Sequence, residues 1–183
     1  SFVALASAQT LGVYRYGPDG TIQLASLRNT NTDAGNISVF DQSPRQITFA
    51  DVTGDGVAEL LLLTLQQSGS AITNLIVYSI DQETPSVSKL FVRSFVGLYA
   101  AFSVGNVNGD DLPDIALAGP NVVFQLRQPG GGYGASTFTQ SSADVLGGVL
   151  LSDLDRDGLD DLVISGKINA TALLSLQALR NHS

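Results

Sequence analysis

Short runs of apolar residues recur along the chain, separated by segments rich in Gly, Asp, Asn and Ser. QITFAD at 46–51 alternates apolar and polar positions, whereas ELLLLTL at 59–65 is almost continuously apolar. Alternation is typical of a strand with one buried face, and a short apolar run bounded by turn residues is typical of a strand buried on both faces. ITNLIVYSI at 72–80 and VSKLFVRSF at 87–95 follow in the same style. We therefore predict four consecutive strands here.

The same pattern continues on both sides of this unit. Four further strands are predicted in 96–142, three in 143–183 and three in 1–45, where the turn GPDG separates the last two. Sequential strands joined by short turn-rich segments favour antiparallel pairing. We expect one domain over residues 1–183, made of a partial unit with a linker (1–45), two complete units (46–95 and 96–142) and a second partial unit (143–183).

A nine-residue motif recurs where the first strand of a unit meets the second. It reads DVTGDGVAE at 51–59 (loop one), NVNGDDLPD at 106–114 (loop two) and DLDRDGLDD at 153–161 (loop three). Each loop has Asp or Asn at position 1, Asp at position 5, an acid at position 9 and then an apolar run. The loops begin 55 and then 47 residues apart, an interval that suits one four-stranded propeller blade. The predicted fold is therefore all-β, with antiparallel β-propeller blades.

The count of strands predicts an incomplete ring. Three strands, two four-stranded blades and three more strands make about three and a half blades, whereas a closed propeller needs about four to eight. We therefore expect the remainder of the propeller, in the same protein or in another chain, to be a partner of this segment.

Acidic residues are concentrated in the loops. Eleven of the 17 Asp and Glu residues fall in these 27 positions, where mutual repulsion favours a bound cation. Ca²⁺ takes six to eight oxygen ligands, which side chains at positions 1, 3, 5 and 9 and the carbonyl at position 7 can supply. Clustered Asp, Asn and Gly also make turns, but three clusters in register favour metal. The predicted ligands are Asp51, Thr53, Asp55, Val57 and Glu59 in loop one; Asn106, Asn108, Asp110, Leu112 and Asp114 in loop two; and Asp153, Asp155, Asp157, Leu159 and Asp161 in loop three.

An EF-hand is excluded as the source of these loops. That motif needs a Glu at position 12 and flanking helices, whereas position 12 is Leu62, Leu117 or Ile164 within an apolar run. By charge of the ligands, we expect loop three to bind calcium most tightly, followed by loop one and then loop two.

The segment AFSVGNVNGDDLPDIALAGP at 101–120 resembles the FG-GAP repeat of integrin α-chain propellers and their extracellular relatives, with Ala-Gly-Pro at 118–120 in the place of GAP. The resemblance covers roughly residues 46–177 and implies a calcium-binding propeller. Such propellers serve as adhesion receptors, lectin-like modules, structural surface proteins and appendages of enzymes. Loops one and two depart from the usual pattern at Thr53, Glu59, Asn106 and Asp111.

We expect an extracellular or cell-surface protein that acts in adhesion, protein–protein interaction or structural assembly. Three Asn-x-Ser/Thr sequons begin at Asn36, Asn169 and Asn181. A protein or glycan ligand fits this role, although Trp is absent and Tyr14, Tyr16, Tyr99 and Tyr133 are as readily explained by packing. The alternative is a non-catalytic propeller of a larger carbohydrate-active or lipid-cleaving enzyme.

Other functional classes are disfavoured by composition. His182 is the single histidine and Cys is absent, so the chain has no residues for a Ser-His-Asp or Cys-His constellation, and we expect no catalysis by this segment. A net charge of −8 argues against nucleic acid. The longest apolar runs are far too short to span a bilayer, so no membrane insertion of this segment is expected.

Overall fold

The computed structural model of the chain describes residues 2–7, 10–29, 42–66, 70–81, 83, 86–134, 137–139, 145–168 and 173–179. Within these ranges all regular secondary structure is β-strand, and the strands form four antiparallel sheets. No helix that could cross a membrane occurs in this part of the chain. The prediction of an all-β chain with antiparallel sheets is confirmed.

The chain divides into two compact units. Unit 1 contains Ser1–Ala50 and Ala58–Gly97, and unit 2 contains Asp51–Val57 and Leu98–Ser183. The division falls within loop one, so the first seven residues of that loop belong to unit 2, whereas Glu59 belongs to unit 1.

The first sheet of unit 1 has three strands in the order β1-β2-β3, namely Phe2–Ala6, Thr10–Tyr16 and Ile22–Asn29. Its strands match the three runs predicted before residue 45. Exposure alternates along β1, which is the period of two expected for a strand with one face in a core. Leu11 and Val13 of β2 are buried in that core.

The second sheet of unit 1 has four strands in the order β4-β5-β6-β7, namely Gln42–Ala50, Glu59–Gln66, Ile72–Ile80 and Val87–Val96. The two central strands, β5 and β6, are buried along almost their whole length. This confirms that the continuous apolar run at 59–65 is a strand buried on both faces. The core of unit 1 combines residues of both sheets: Leu11, Val13, Leu60, Leu62, Ile76, Tyr78, Ile80 and Val87.

The first sheet of unit 2 has the order β11-β10-β9-β8, with β8 at Ala101–Gly105, β9 at Asp114–Ala118, β10 at Val122–Gln125 and β11 at Thr137–Thr139. Before strand β11 the chain reverses through Gln128 and the glycines that follow, and an isolated bridge pairs Arg127 with Tyr133.

The last sheet has three strands in the order β12-β13-β14, at Val145–Ser152, Asp161–Ile168 and Leu173–Leu179. Its apolar face packs on the sheet β8–β11, and the buried residues of this contact are Ala116, Ala118, Val122, Leu151, Leu162 and Ile164. The amide of Leu151 also donates to the Ser103 hydroxyl at 3.0 Å.

The three loops occupy equivalent places in their sheets. Loop one joins β4 to β5, loop two joins β8 to β9, and loop three joins β12 to β13, which in each sheet are the first and second strands. In each case the position-9 acid is the first residue of the second strand. The motif therefore joins the first and second strands of each of these three sheets.

Candidate metal centre

All three loops begin with the same hydrogen bond. The Oδ1 atom of the position-1 side chain accepts the position-4 amide, which is the arrangement that Asp and Asn adopt in tight turns. The three pairs are Asp51 with Gly54 at 2.6 Å, Asn106 with Gly109 at 2.9 Å, and Asp153 with Arg156 at 2.7 Å.

A second hydrogen bond also recurs in every loop. The position-5 aspartate accepts the position-7 amide, and the pairs are Asp55 with Val57 at 2.8 Å, Asp110 with Leu112 at 2.9 Å, and Asp157 with Leu159 at 2.9 Å. This bond uses the N–H of the position-7 residue, whereas the atom predicted to bind metal there is the carbonyl oxygen. The two roles are compatible.

The backbone is left-handed at positions 4 and 6 of each loop. The φ angles are 78° at Gly54, 83° at Gly56, 76° at Gly109, 61° at Asp111, 65° at Arg156 and 92° at Gly158. Glycine adopts this conformation freely, and Asp does so more readily than most residues. Three sequences that share few identical residues therefore have one loop shape.

The position-9 acids are the most deeply buried carboxylates of the loops. Glu59 is 4% exposed, and Asp114 and Asp161 are both 0% exposed. In loops two and three the position-2 amide donates to this carboxylate, from Val107 to Asp114 at 3.1 Å and from Leu154 to Asp161 at 3.0 Å. Burying a carboxylate is costly unless hydrogen bonds or a cation offset the loss of water.

Loop three brings three of its predicted ligands together. Carboxylate oxygens of Asp153, Asp155 and Asp161 all lie within 4.8 Å of one another. Two ligands of one Ca²⁺ ion are at most about 5 Å apart, because each lies at about 2.3–2.6 Å from the metal. The three oxygens can therefore share a cation. Among the described residues this is the one group of three acidic side chains that meets this distance, and Asp157 is not part of it.

Loop two uses its predicted ligands in a different way. The Asn108 side-chain amide donates to Asp110 Oδ2 at 3.0 Å, while the Asp110 backbone amide donates to Asn108 Oδ1 at 3.2 Å. Together with the bond from Leu112, these contacts engage both carboxylate oxygens of Asp110. A metal ion in loop two would have to replace or share them.

Two loop carboxyl groups have shifted pKa values of opposite sign. Burial opposes ionisation of Asp51, but backbone amides of Gly56, Gly54, Asp55 and Thr53 donate to its carboxylate and hold its pKa below the ordinary value. Burial raises the pKa of Asp114 above the ordinary value, although the amides of Arg127 and Val107 oppose this and the charge on Asp110 adds to it. Bound calcium would favour the ionised form of both groups.

The residues that join one loop to the next are not among those predicted from the sequence. The Asn106 amide donates to Asp160 Oδ2 at 2.7 Å, and the Asp160 amide donates to the Asn106 carbonyl at 2.9 Å, so loops two and three are bonded directly. The extra acid at position 8 of loop three was a visible signal. Tyr133 and Arg127, which contact loop one, carry no comparable signal in the sequence.

Comparison with known proteins does not add a relative. No family model matches the chain, and no curated protein matches it. The resemblance to FG-GAP repeats therefore depends on the loop residues and strand order described above.

Proposed function

We propose that this chain is a calcium-binding segment of an extracellular β-propeller that acts in adhesion, protein–protein interaction or structural assembly. The observation that carries the proposal is the convergence of Asp153, Asp155 and Asp161 within 4.8 Å in loop three. Carboxylate oxygens are hard ligands that suit Ca²⁺. The shared shape of the other two loops supports sites of the same kind there.

Electrostatics supports the same proposal. The chain has a formal net charge of −8, and most of its acids lie in the three loops. Three calcium ions would add six positive charges and leave a net charge of about −2, from −8 + 6. A cation that binds the native state and not the unfolded chain also stabilises the fold by mass action.

The propeller is supported by the succession of sheets. In the described residues, two four-stranded and two three-stranded antiparallel meanders follow one another, with a loop between the first and second strands of each of the last three. In a propeller, such meanders are the blades. We propose that the blades which complete the ring come from elsewhere in the same protein or from another chain, and that the ligand is a protein or glycan.

An extracellular location fits loops of this type, because calcium modules of extracellular proteins work at millimolar calcium. The sequons at Asn36, Asn169 and Asn181 lie outside the described residues. Mass spectrometry of material from a eukaryotic secretory pathway would test them, and glycan on Asn36 is the expected result.

Calcium titration of the full chain tests the proposed function. We expect calorimetry to detect binding and the melting temperature to rise with Ca²⁺ and fall with a chelator. Asp155→Ala should lower the calcium-dependent rise in melting temperature more than Asn108→Ala, because loop three is expected to bind tightest. Over the three loops, affinity should fall in the order three, one, two.

Glu83→Ala is the matched control, since it removes one exposed carboxylate outside the loops and changes net charge by the same amount as Asp155→Ala. Its response to calcium should equal that of the wild type. If melting is the same with calcium and with chelator, the loops are turns and the metal proposal is wrong.

A further inference from the structure

A buried tyrosine lies where loop one meets loop two. The Tyr133 side chain is buried, and its hydroxyl oxygen is 3.1 Å from the carbonyl oxygen of Val52, at position 2 of loop one. The same hydroxyl is 3.3 Å from the carbonyl oxygen of Pro113, at position 8 of loop two. One phenolic O–H has a single hydrogen to donate, so the two loops share one donor.

The neighbouring Arg127 connects the same two loops by separate atoms. Its backbone amide donates to Asp114 Oδ1 at 2.8 Å, and Asp114 is the position-9 acid of loop two. Its guanidinium reaches the Thr53 carbonyl oxygen of loop one at 3.4 Å and lies 5.4 Å from the centre of the Tyr133 ring. A cation over an aromatic ring is attracted to it, so Arg127 also holds the tyrosine in place.

Because Tyr133 and Arg127 each contact both loops, a change in one loop also affects the contacts made to the other. A metal ion that shifts the backbone of loop one moves the Val52 and Thr53 carbonyls relative to Tyr133 and Arg127. Any change in those two residues then reaches the Pro113 carbonyl and the Asp114 carboxylate of loop two. Residues that share hydrogen-bond partners in this way are coupled in energy.

We propose that Tyr133, held by Arg127, is a latch that couples calcium binding in loop one to calcium binding in loop two. The inference rests on the proposed function of the loops and adds that their sites are not independent. By linkage, the effect is reciprocal: occupancy of either loop changes the calcium affinity of the other by the same factor. Tyr133 is a positioning residue, because its side chain holds the loops and does not itself ligate metal.

Site-resolved calcium titration of the full chain tests the latch. NMR signals of the Gly56 and Gly109 amides report loop one and loop two, and Asp110→Ala disables loop two by removing its position-5 ligand. We expect Asp110→Ala to change the calcium affinity of loop one by about fivefold or more, the lower end of typical coupling between sites. In a Tyr133→Phe background the same substitution should change the calcium affinity of loop one by less than about twofold, since little coupling remains.

Tyr99→Phe is the matched control. Tyr99 is also buried in unit 2, and its hydroxyl is 3.0 Å from Asn121 Oδ1, away from the loops. Removing it deletes one buried hydroxyl contact but should leave the coupling at its wild-type value. Equal effects of Asp110→Ala in the wild-type and Tyr133→Phe backgrounds would overturn the latch. Arg127→Gln is a second variant that keeps the phenol, and full coupling in that variant would overturn the role of Arg127.

A failure of the proposed function can be distinguished from a failure of the latch. If no loop amide responds to calcium, the metal proposal fails and the coupling of calcium sites fails with it. Water–amide exchange measured in chelator then shows whether Tyr133 couples the two loops without metal. Asp110→Ala should then speed exchange of the Gly54 and Gly56 amides when Tyr133 is present and leave them unchanged in Tyr133→Phe. The same acceleration in both backgrounds would contradict the latch.

Discussion

Loops two and three have the same backbone shape, but different residues at position 1 create it. Asp153 in loop three accepts the amides of Arg156 and Asp157 with Oδ1 and the amide of Gly158 with Oδ2. Asn106 in loop two accepts the Gly109 amide with its single side-chain oxygen. A carboxylate has two acceptor atoms and an amide side chain has one, so loop two lacks the acceptor that holds position 6.

Loops two and three also differ at position 6. Loop three has Gly158 at this position, held by Asp153, whereas loop two has Asp111 in the left-handed region at a φ of 61°. Loop two also bonds Asn108 to Asp110 within the loop. Loop three is therefore organised around its acids, whereas loop two is held by amide side chains and by its bonds to Asp160.

The largest effect on stability is expected at Gly105, next to the contact between loops two and three. A Cβ atom at Gly105 would collide with Asp160 Oδ2 and lie 2.8 Å from Leu151 Cβ. Gly105→Ala should therefore reduce the free energy of unfolding by about 3 kcal/mol, the upper part of the range for overpacking, and should separate the loops. Urea denaturation measures the first effect, and loss of protection of the Asn106 and Asp160 amides measures the second.

Gly130→Ala is the control for this substitution, because a Cβ there meets nothing within 4 Å. It should change the free energy of unfolding by less than about 0.5 kcal/mol, as is usual for surface substitutions. Equal stability of the Gly105→Ala and Gly130→Ala variants would show that the contact between the loops is not tightly packed.

The second-largest effect on stability is expected at position 1 of the loops. Asp153→Ala removes a charged acceptor of three amides and should cost about 2 kcal/mol in chelator, whereas Asn106→Ala removes a neutral acceptor of one amide and should cost about 1 kcal/mol. The bonds of Asn106 to Asp160 that use backbone atoms of Asn106 remain in the second variant. Thermal denaturation of both variants checks the order.

Adding calcium should widen this gap, because Asp153 belongs to the acidic cluster and Asn106 contributes no charge. An equal loss in the two variants, both with chelator and with calcium, would mean that the second carboxylate oxygen has no role in loop three.

The smallest effect on stability is expected at position 6 of the loops. Gly158→Ala places a Cβ on a residue with a φ of 92° and should cost about 1–2 kcal/mol, as expected for a side chain in the left-handed region. Asp111→Gly should change stability by less than about 0.5 kcal/mol, because relief of strain is offset by the greater freedom of glycine in the unfolded chain. Denaturation curves of the two variants measure both values, and a large gain from Asp111→Gly would show that Asp111 is strained.

The strands and the loops could be predicted from local features of the amino-acid sequence. Alternation and apolar runs are local properties of the chain, so β5 and β6 could be predicted from ELLLLTL and ITNLIVYSI without knowing what covers them. The loop motif was equally local: positions 4, 5, 6 and 7 are set by hydrogen bonds that span at most five residues, such as the bond from Gly158 to Asp153. Sheets of three, four, four and three strands follow from the same short-range pattern.

Which loop residues come into contact depends on the packing of whole sheets and could not be predicted from the sequence. The bond from Asn106 to Asp160 joins residues 54 apart in the sequence, and the bond from Tyr133 to Val52 joins residues 81 apart. The tertiary structure also decided that Asp153, Asp155 and Asp161 converge without Asp157, although all four were equally good candidates by composition. The physical reason is that periodicity reports which face of a strand is buried, whereas the distance between two loops depends on how whole sheets pack.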